Sequence, residues 1–169
     1  MAGMIAGRTA SEMPGLDIAE QRSWRNFLDS SLAVYARLNK VLSEEHRLSL
    51  ADVRLLEALE TSPTGSARMG DLAELLISLP SRVTRQIRRL ESQGLVQRAA
   101  SPEDGRAVLA TITDAGRELI AKAMVTYAQG VRAYFLAQLS RPQMVALGEN
   151  CRRVTLALPA ATDAAKPGP

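Results

Sequence analysis

The sequence contains one cysteine, one histidine and few aromatic residues, and these shortages exclude several classes of protein. A lone cysteine, Cys151, cannot form an intramolecular disulfide or a multi-cysteine zinc or iron–sulfur site. A lone histidine, His46, excludes the common multi-histidine metal sites, so we expect neither a metal nor another cofactor. Because the sequence also lacks a glycine-rich phosphate loop and a nucleophile elbow, we expect that the protein is not an enzyme.

Long apolar runs are also missing. No stretch approaches the length of a membrane span, so we expect no membrane partner. Residues 1–14 are too interrupted by Gly, Arg, Ser and Glu to resemble a signal peptide. The sequence therefore predicts a cytoplasmic protein.

Lysine is scarce, and arginine supplies most of the positive charge. The 21 basic residues against 18 acidic ones give a net charge of +3, and lysine stands only at Lys40, Lys122 and Lys166. The planar guanidinium group suits phosphates and guanine edges, but a GC-rich genome produces the same surplus without functional meaning. The positions of the arginines must separate these two interpretations.

The apolar pattern predicts a mainly α-helical domain over residues 17–158, between disordered tails at 1–16 and 159–169. An apolar stripe from Trp24 onwards predicts a long first helix over about 20–46. Ser49 and Asp52 form a capping box that opens a second helix, and a short third helix covers the region of 69–76. Pro80 begins a fourth helix that ends near Gln93.

A change of period follows the fourth helix. Residues 95–100 and 107–113 alternate as two short strands, and 101–105 form the hairpin tip between them. Thr113 caps a long fifth helix, and Ser140 with Gln143 opens a sixth. Three helices followed by a β-hairpin form a winged helix-turn-helix lobe, here over about 49–113. Helices at about 20–46 and 114–158 remain for dimerisation.

The fourth helix has two distinct faces. Val83, Ile87 and Leu90 predict the buried side, while five arginines and a single acid, Glu91, stand between Pro80 and Arg98. Such a run is often only a solvated helix face, but the acids that normally compensate it at i±4 are missing here. The pattern favours nucleic acid as partner. Since Leu79 cannot cap this helix, Ser78 is the expected N-cap, one residue early.

Three segments resemble the MarR family of bacterial transcriptional regulators. They are M-G-D-L-A-E-L-L at 69–76, S-R-V-T-R-Q-I-R-R-L-E-S-Q-G-L-V at 81–96, and P-E-D-G-R-A-V-L-A-T-I-T-D-A-G-R at 102–117. The most diagnostic feature is D-x-R at 104–106, which lies between R-L-E-x-x-G-L-V and T-x-x-G. The resemblance covers about residues 24–158.

The resemblance implies a homodimer that binds double-stranded DNA at a pseudo-palindromic operator. Such a regulator is expected to be a repressor, associated with the nucleoid and released by a small aromatic or phenolic effector. The alternative is a winged-helix protein-interaction adaptor without specific DNA binding. In the family, Arg106 would enter the minor groove at the wing tip, oriented by Asp104. The expected DNA-binding residues are Ser81, Arg82, Thr84, Arg85, Arg88, Asp104 and Arg106.

Two further groups of residues have alternative interpretations. Trp24, Phe27 and Tyr35 are candidates for an effector pocket between the dimer helices and the winged lobe, but packing in the core explains the same spacing and is preferred. Cys151 is a candidate redox sensor, but its position in an apolar seam of the sixth helix favours a buried, inert thiol. His46 ends the first helix, where an imidazole can interact favourably with the helix dipole. This interpretation is preferred to a metal site.

Overall fold

The computed structural model describes residues 13–101 and 107–158. The chain divides into two compact units, Met1–Ala36 and Arg37–Pro169. Residues 1–12 and 159–169 of the predicted tails lie outside the described part, as does most of the predicted hairpin tip. Residues 13–16 form a turn, in which the Leu16 amide donates to the Met13 carbonyl over 3.1 Å.

The described residues form six α-helices, one 3-10 turn and three strands. The helices are α1 Ile18–His46, α2 Leu50–Glu60, α3 Met69–Leu75, α4 Pro80–Ser92, α5 Asp114–Tyr134 and α6 Arg141–Ala157, with the 3-10 turn at Leu136–Gln138. The strands are β1 Ser66–Arg68, β2 Val96–Ala100 and β3 Val108–Ile112. The predicted mainly α fold with a small β wing is confirmed.

Side-chain caps begin three of the helices where the sequence predicted them. The Ser49 and Asp52 capping box opens α2. The Thr113 hydroxyl accepts from the Gly116 amide over 3.1 Å at the start of α5, and the Ser140 amide donates to the Gln143 side chain over 2.9 Å at α6. Each cap satisfies an amide group that the first turn of a helix leaves without a partner.

The sheet has one strand more than the sequence predicted. β1 pairs antiparallel with β3, which pairs antiparallel with β2, so that β3 is central. The Ser66 and Thr111 hydroxyl groups meet across β1 and β3 at 2.7 Å. A three-residue strand is too short to show alternation, and turn residues precede it, so the sequence pattern could not reveal it.

The core of the winged lobe lies between α2, α4 and the sheet. The predicted inward stripe of α4 is confirmed, since Val83, Ile87 and Leu90 are all fully buried. Residues of the neighbouring elements complete this core: Val53, Leu55, Leu56, Leu59, Leu72, Val96, Ala110 and Ile112. This packing presents the opposite side of α4 to solvent.

Gly116 allows the start of α5 to lie against the segment that follows α4. A Cβ at this buried position would collide with the carbonyl oxygen of Leu95. The Thr113 hydroxyl donates to the Gly94 carbonyl over 2.7 Å, and the Thr113 amide donates to Leu95 over 3.1 Å. The segment that links α4 to the wing is thus fastened to the segment that links the wing to α5.

The aromatic stripe of α1 is exposed on the chain. Trp24, Phe27 and Tyr35 are each about half exposed, and the Trp24 and Phe27 ring centroids lie 6.0 Å apart. The preferred interpretation, packing in the chain's own core, is therefore wrong for these three residues. Helical spacing specifies that a face is apolar, but it does not specify what covers that face.

The thiol and the imidazole lie on different helices of the second unit. Cys151 on α6 is only half buried, so the expected full burial of its thiol is not seen within the chain. The His46 Nε2 atom lies 2.8 Å from the Thr126 hydroxyl of α5, which donates to Glu45 over 2.8 Å. His46 thus connects the last turn of α1 to α5.

Candidate nucleic-acid interface

The exposed face of α4 is polar and basic. Ser81, Arg82, Arg85 and Arg88 are all exposed, on the side opposite the buried stripe, and no acid stands among them. Since that stripe fixes the rotation of the helix about its own axis, these four predicted site residues are held outward together. A helix presented in this way can enter the major groove of DNA.

The N-terminus of α4 begins without a side-chain cap. Leu79 has the extended conformation of an N-cap, and its carbonyl accepts from the Arg82 and Val83 amides over 2.9 and 3.1 Å. The prediction that Ser78 caps this helix is therefore wrong. The Ser78 amide instead donates to the Ala73 carbonyl over 2.9 Å and so belongs to the end of α3.

Thr84 differs from the other predicted contacts on α4. It is half buried, and its hydroxyl donates to the Pro80 carbonyl over 2.9 Å. A phosphate oxygen can only accept a hydrogen bond, so Thr84 could bind phosphate only by giving up this bond. Its position on the flank of α4 places it behind the row formed by Ser81, Arg85 and Arg88.

Two of the five arginines in this region are occupied by ion pairs. Arg98 donates to Glu91 over 2.7 Å from Nε, and Arg89 pairs with Asp52. The five arginines counted in the sequence therefore overstate the unpaired positive charge of α4 and β2. Arg82 and Arg85 make no ion pair with any residue of 13–101 or 107–158.

The Glu91 carboxylate is held in its ionised form by the arginines around it. The hydrogen bond from Arg98 is the largest cause that lowers the pKa of Glu91 below its usual value, and the charge of Arg88 adds to it. Because the pKa is lowered, the pairing persists at neutral pH and is lost only as the pH falls through that pKa. Glu91 consequently restrains Arg98 at the base of the wing.

Asp52 is a residue whose second role the sequence did not reveal. It is buried, and its carboxylate accepts from the Ser49 backbone amide over 2.8 Å. It also accepts from the side-chain nitrogen of Gln86 over 2.9 Å and from Arg89. One side chain thus caps α2 and holds one flank of α4. The capping box was visible in the sequence, but nothing there linked Asp52 to residues 34 and 37 positions away.

Basic grooves lie on both flanks of α4. One, of about 310 Å³, lies between α4 and the start of α2 and is lined by Ser49, Asp52, Arg82, Arg85, Gln86 and Arg89. The other, of about 480 Å³, lies between α3, α4 and strands β2 and β3, and its lining includes Arg68, Thr84, Arg88 and Arg98. Arginines beside a recognition helix are suited to the two phosphate backbones that border a groove.

The predicted wing-tip residues Asp104 and Arg106 lie outside the described residues. The strands on either side are described, and the Ser101 amide donates to the Ala107 carbonyl over 2.8 Å where the described part stops. β2 and β3 therefore form a paired ribbon up to the segment that carries both residues.

Other kinds of site find no support in the described residues. Within 13–101 and 107–158, no group of three or more His, Cys, Asp or Glu side chains is placed to hold a metal ion. The helices in these ranges are too short or too polar to cross a membrane.

The chain is similar to known transcriptional regulators. The model of the MarR family matches residues 48–108. The HTH-type transcriptional regulator YhbI of Bacillus subtilis is 34% identical over 110 residues, which are 63% of this chain and 70% of YhbI. The chain belongs to the MarR family. The HTH-type transcriptional repressor Rv2887 of Mycobacterium tuberculosis is 35% identical over 96 residues, 57% of this MarR-family chain and 67% of Rv2887.

A solved MarR-family structure extends the likeness to most of the chain. Sco3205 of Streptomyces coelicolor, determined in complex with DNA, has a TM-score of 0.83 and 29% identity, over 88% of this chain and 96% of Sco3205. The predicted family and function are confirmed: this MarR-family protein is a DNA-binding transcriptional regulator and not an enzyme.

Proposed function

We propose that the protein is a homodimeric repressor that binds a pseudo-palindromic operator. The observation that carries this proposal is the exposed face of α4, where Arg82 and Arg85 have no ion-pair partner in the described chain. Outward guanidinium groups on the helix that directly precedes the wing can bind guanine edges and phosphates. The relative Rv2887, a transcriptional repressor, supports repression as the regulatory outcome.

The working domain of this proposal covers residues 17–158. Its winged helix-turn-helix lobe covers about 49–113, and the dimerisation helices cover about 20–46 and 114–158. Ser81, Arg82, Thr84, Arg85 and Arg88 are the proposed contacts in or beside the major groove. Asp104 and Arg106 are the proposed contacts of the wing. A regulator of this kind acts on the chromosome, so we place it in the cytoplasm, associated with the nucleoid.

Exposed apolar side chains support the homodimer. On α1, Ile18, Leu32 and the three aromatic residues are 47–85% exposed, and on α6 Val154 and Leu156 are 61% and 70% exposed. Apolar side chains in such number are costly to leave in water and are typical of protein interfaces. A second copy of the chain would cover them, and Trp24, Phe27 and Tyr35 are also the proposed contacts of a small aromatic or phenolic effector.

Selection from random duplexes tests the proposed function. We expect enrichment of an inverted repeat with half-sites about one helical turn, roughly 10 bp, apart, bound by two chains per duplex. Affinity should fall steeply between 50 and 200 mM salt, because phosphate contacts release counterions. The adaptor alternative predicts no enriched sequence and weak binding that salt hardly changes, and that result would contradict the proposal.

The wing makes a separate prediction. Arg106→Ala is expected to weaken binding to the selected operator, and most strongly where the flank is rich in A·T pairs, because their narrow minor groove attracts arginine. A gel shift with A·T-rich and G·C-rich flanks measures both effects. Equal affinity of Arg106→Ala and the unmodified protein on both flanks would rule out this role for the wing.

A further inference from the structure

The turn between α3 and α4 exposes two large apolar side chains. Ile77 is 66% exposed and Leu79 is 54% exposed, directly before the first turn of α4. Single exposed apolar residues are common on protein surfaces and need no explanation. These two differ because each occupies a backbone position that favours another kind of residue.

Ile77 ends α3 in a conformation usually taken by glycine. Its φ is +50°, its amide donates to the Glu74 carbonyl over 3.0 Å, and the Ser78 amide donates to Ala73 over 2.9 Å. This pair of bonds is the Schellman motif, in which the residue with positive φ is most often glycine. A β-branched side chain in that region is a true outlier.

Leu79 stands at a position that favours a hydroxyl or a carboxylate. Its side chain, at the N-cap of α4, has no oxygen to accept from the amide groups of the first turn, whereas Ser, Thr, Asp or Asn would stabilise the helix there. Two neighbouring departures from local preference, both leaving apolar groups in water, are typical of a segment retained for binding.

The location of Leu79 identifies what it can touch. It lies two residues before the exposed Ser81 and three before the exposed Arg82, so it is continuous with the proposed DNA interface. The N-terminal residues of a recognition helix contact base edges, and the C5-methyl group of thymine is the apolar group of the major groove. We propose that Leu79 reads a thymine methyl group in each operator half-site. This inference rests on the proposed function.

Deoxyuridine substitution isolates the proposed contact, because it removes only the methyl group of thymine. The probe is the selected operator, with one thymine at a time in each half-site replaced by deoxyuridine. For the unmodified protein, we expect one position per half-site at which binding weakens by about fourfold, the factor that burial of one methyl-sized group provides. Leu79→Ser should bind the thymine and deoxyuridine duplexes equally at that position.

Two further variants keep the test clear. Leu79→Ala removes the contact without adding a polar group and should lose the same discrimination. Leu75→Ser replaces the last residue of α3, a leucine that is 63% exposed against 54% for Leu79, and should keep the fourfold preference. Thermal unfolding is expected to show that Leu79→Ser is at least as stable as the unmodified protein, because serine caps α4.

The outcomes separate this inference from the proposed function. If the protein binds its operator but no thymine position responds to deoxyuridine, or if both Leu79 variants keep the preference, the methyl contact is wrong and the function stands. Unchanged operator affinity in Leu79→Ser would also overturn the contact and would favour a protein partner for this turn. If selection enriches no sequence, the proposed function fails and the contact fails with it.

Discussion

Replacing Arg82 and Arg85 together by alanine is expected to weaken operator binding by about 30- to 1000-fold, or roughly 2–4 kcal/mol. Both side chains are exposed on α4, and neither has an ion-pair partner in the described chain that would have to be broken first. A guanidinium that binds two acceptors on guanine provides about 1–3 kcal/mol of discrimination. Fluorescence anisotropy with cognate and scrambled duplexes measures the loss.

A charge-matched control separates specific contacts from the general attraction of DNA for positive charge. Arg54 on α2 and Lys122 on α5 are exposed, and their double replacement by alanine removes the same charge away from α4. We expect this control to weaken binding by less than about tenfold, since it affects only the long-range field. Equal losses in the two double variants would contradict the assignment of α4 as the recognition helix.

Salt dependence then distinguishes base contacts from phosphate contacts. An arginine that binds phosphate contributes about one unit to the slope of log affinity against log salt, whereas loss of a base contact reduces the preference for cognate over scrambled DNA. From their positions, we expect Arg85 on the outermost row to affect sequence preference. Arg82 lies off that row, towards α2 in the groove that both arginines line, and it should affect the slope.

Asp52→Ala is expected to destabilise the fold by about 2–4 kcal/mol, although Asp52 lies away from the exposed face of α4. The change removes the acceptor of the Ser49 amide and leaves Gln86 and Arg89 without their shared partner. Hydrogen bonds to a charged group each contribute about 1.5–3 kcal/mol. The sum is reduced here because Arg89 is 44% exposed and can turn to water.

Thermal and urea unfolding measure this loss. For a chain of this size, we expect the midpoint of thermal unfolding to fall by roughly 5–15 °C. Asp52→Asn keeps the shape and one acceptor oxygen, and it should lose about half as much stability. Glu44→Ala is the control, because that carboxylate is 63% exposed and 3.8 Å from Lys40, so it should change stability by less than about 0.5 kcal/mol. A loss no larger than that in Asp52→Ala would show that the carboxylate does not hold α4.

Local rules account for the parts of the fold that the sequence predicted correctly. The stripe of Val83, Ile87 and Leu90 repeats at helical spacing, and the caps at Ser49, Thr113 and Ser140 each act within three residues. Such patterns depend only on helix geometry, which is the same in every protein. They were sufficient to predict the order of the helices, the position of the wing and the outward face of α4.

The features that the sequence pattern did not predict depend on pairings between different elements of the fold. β1 forms only because β3 lies beside it, and Arg89 and Arg98 lose their apparent freedom to Asp52 and Glu91. The cap of α4 was misplaced because the Ser78 amide bonds back to Ala73. No periodic pattern encodes these pairings.

The sequence alone determined which kinds of chemistry were available to the protein. It has few lysine, cysteine and histidine residues, and it has a run of arginines before the wing. These features left basic charge on a helix as the main functional signal. Only the tertiary structure decided which arginines remain free for DNA and which are held within the lobe. The reason is that the free energy of a charged side chain depends on the distance to its partners and on its exposure to water, and both are set by the packing of α2, α4 and the strands.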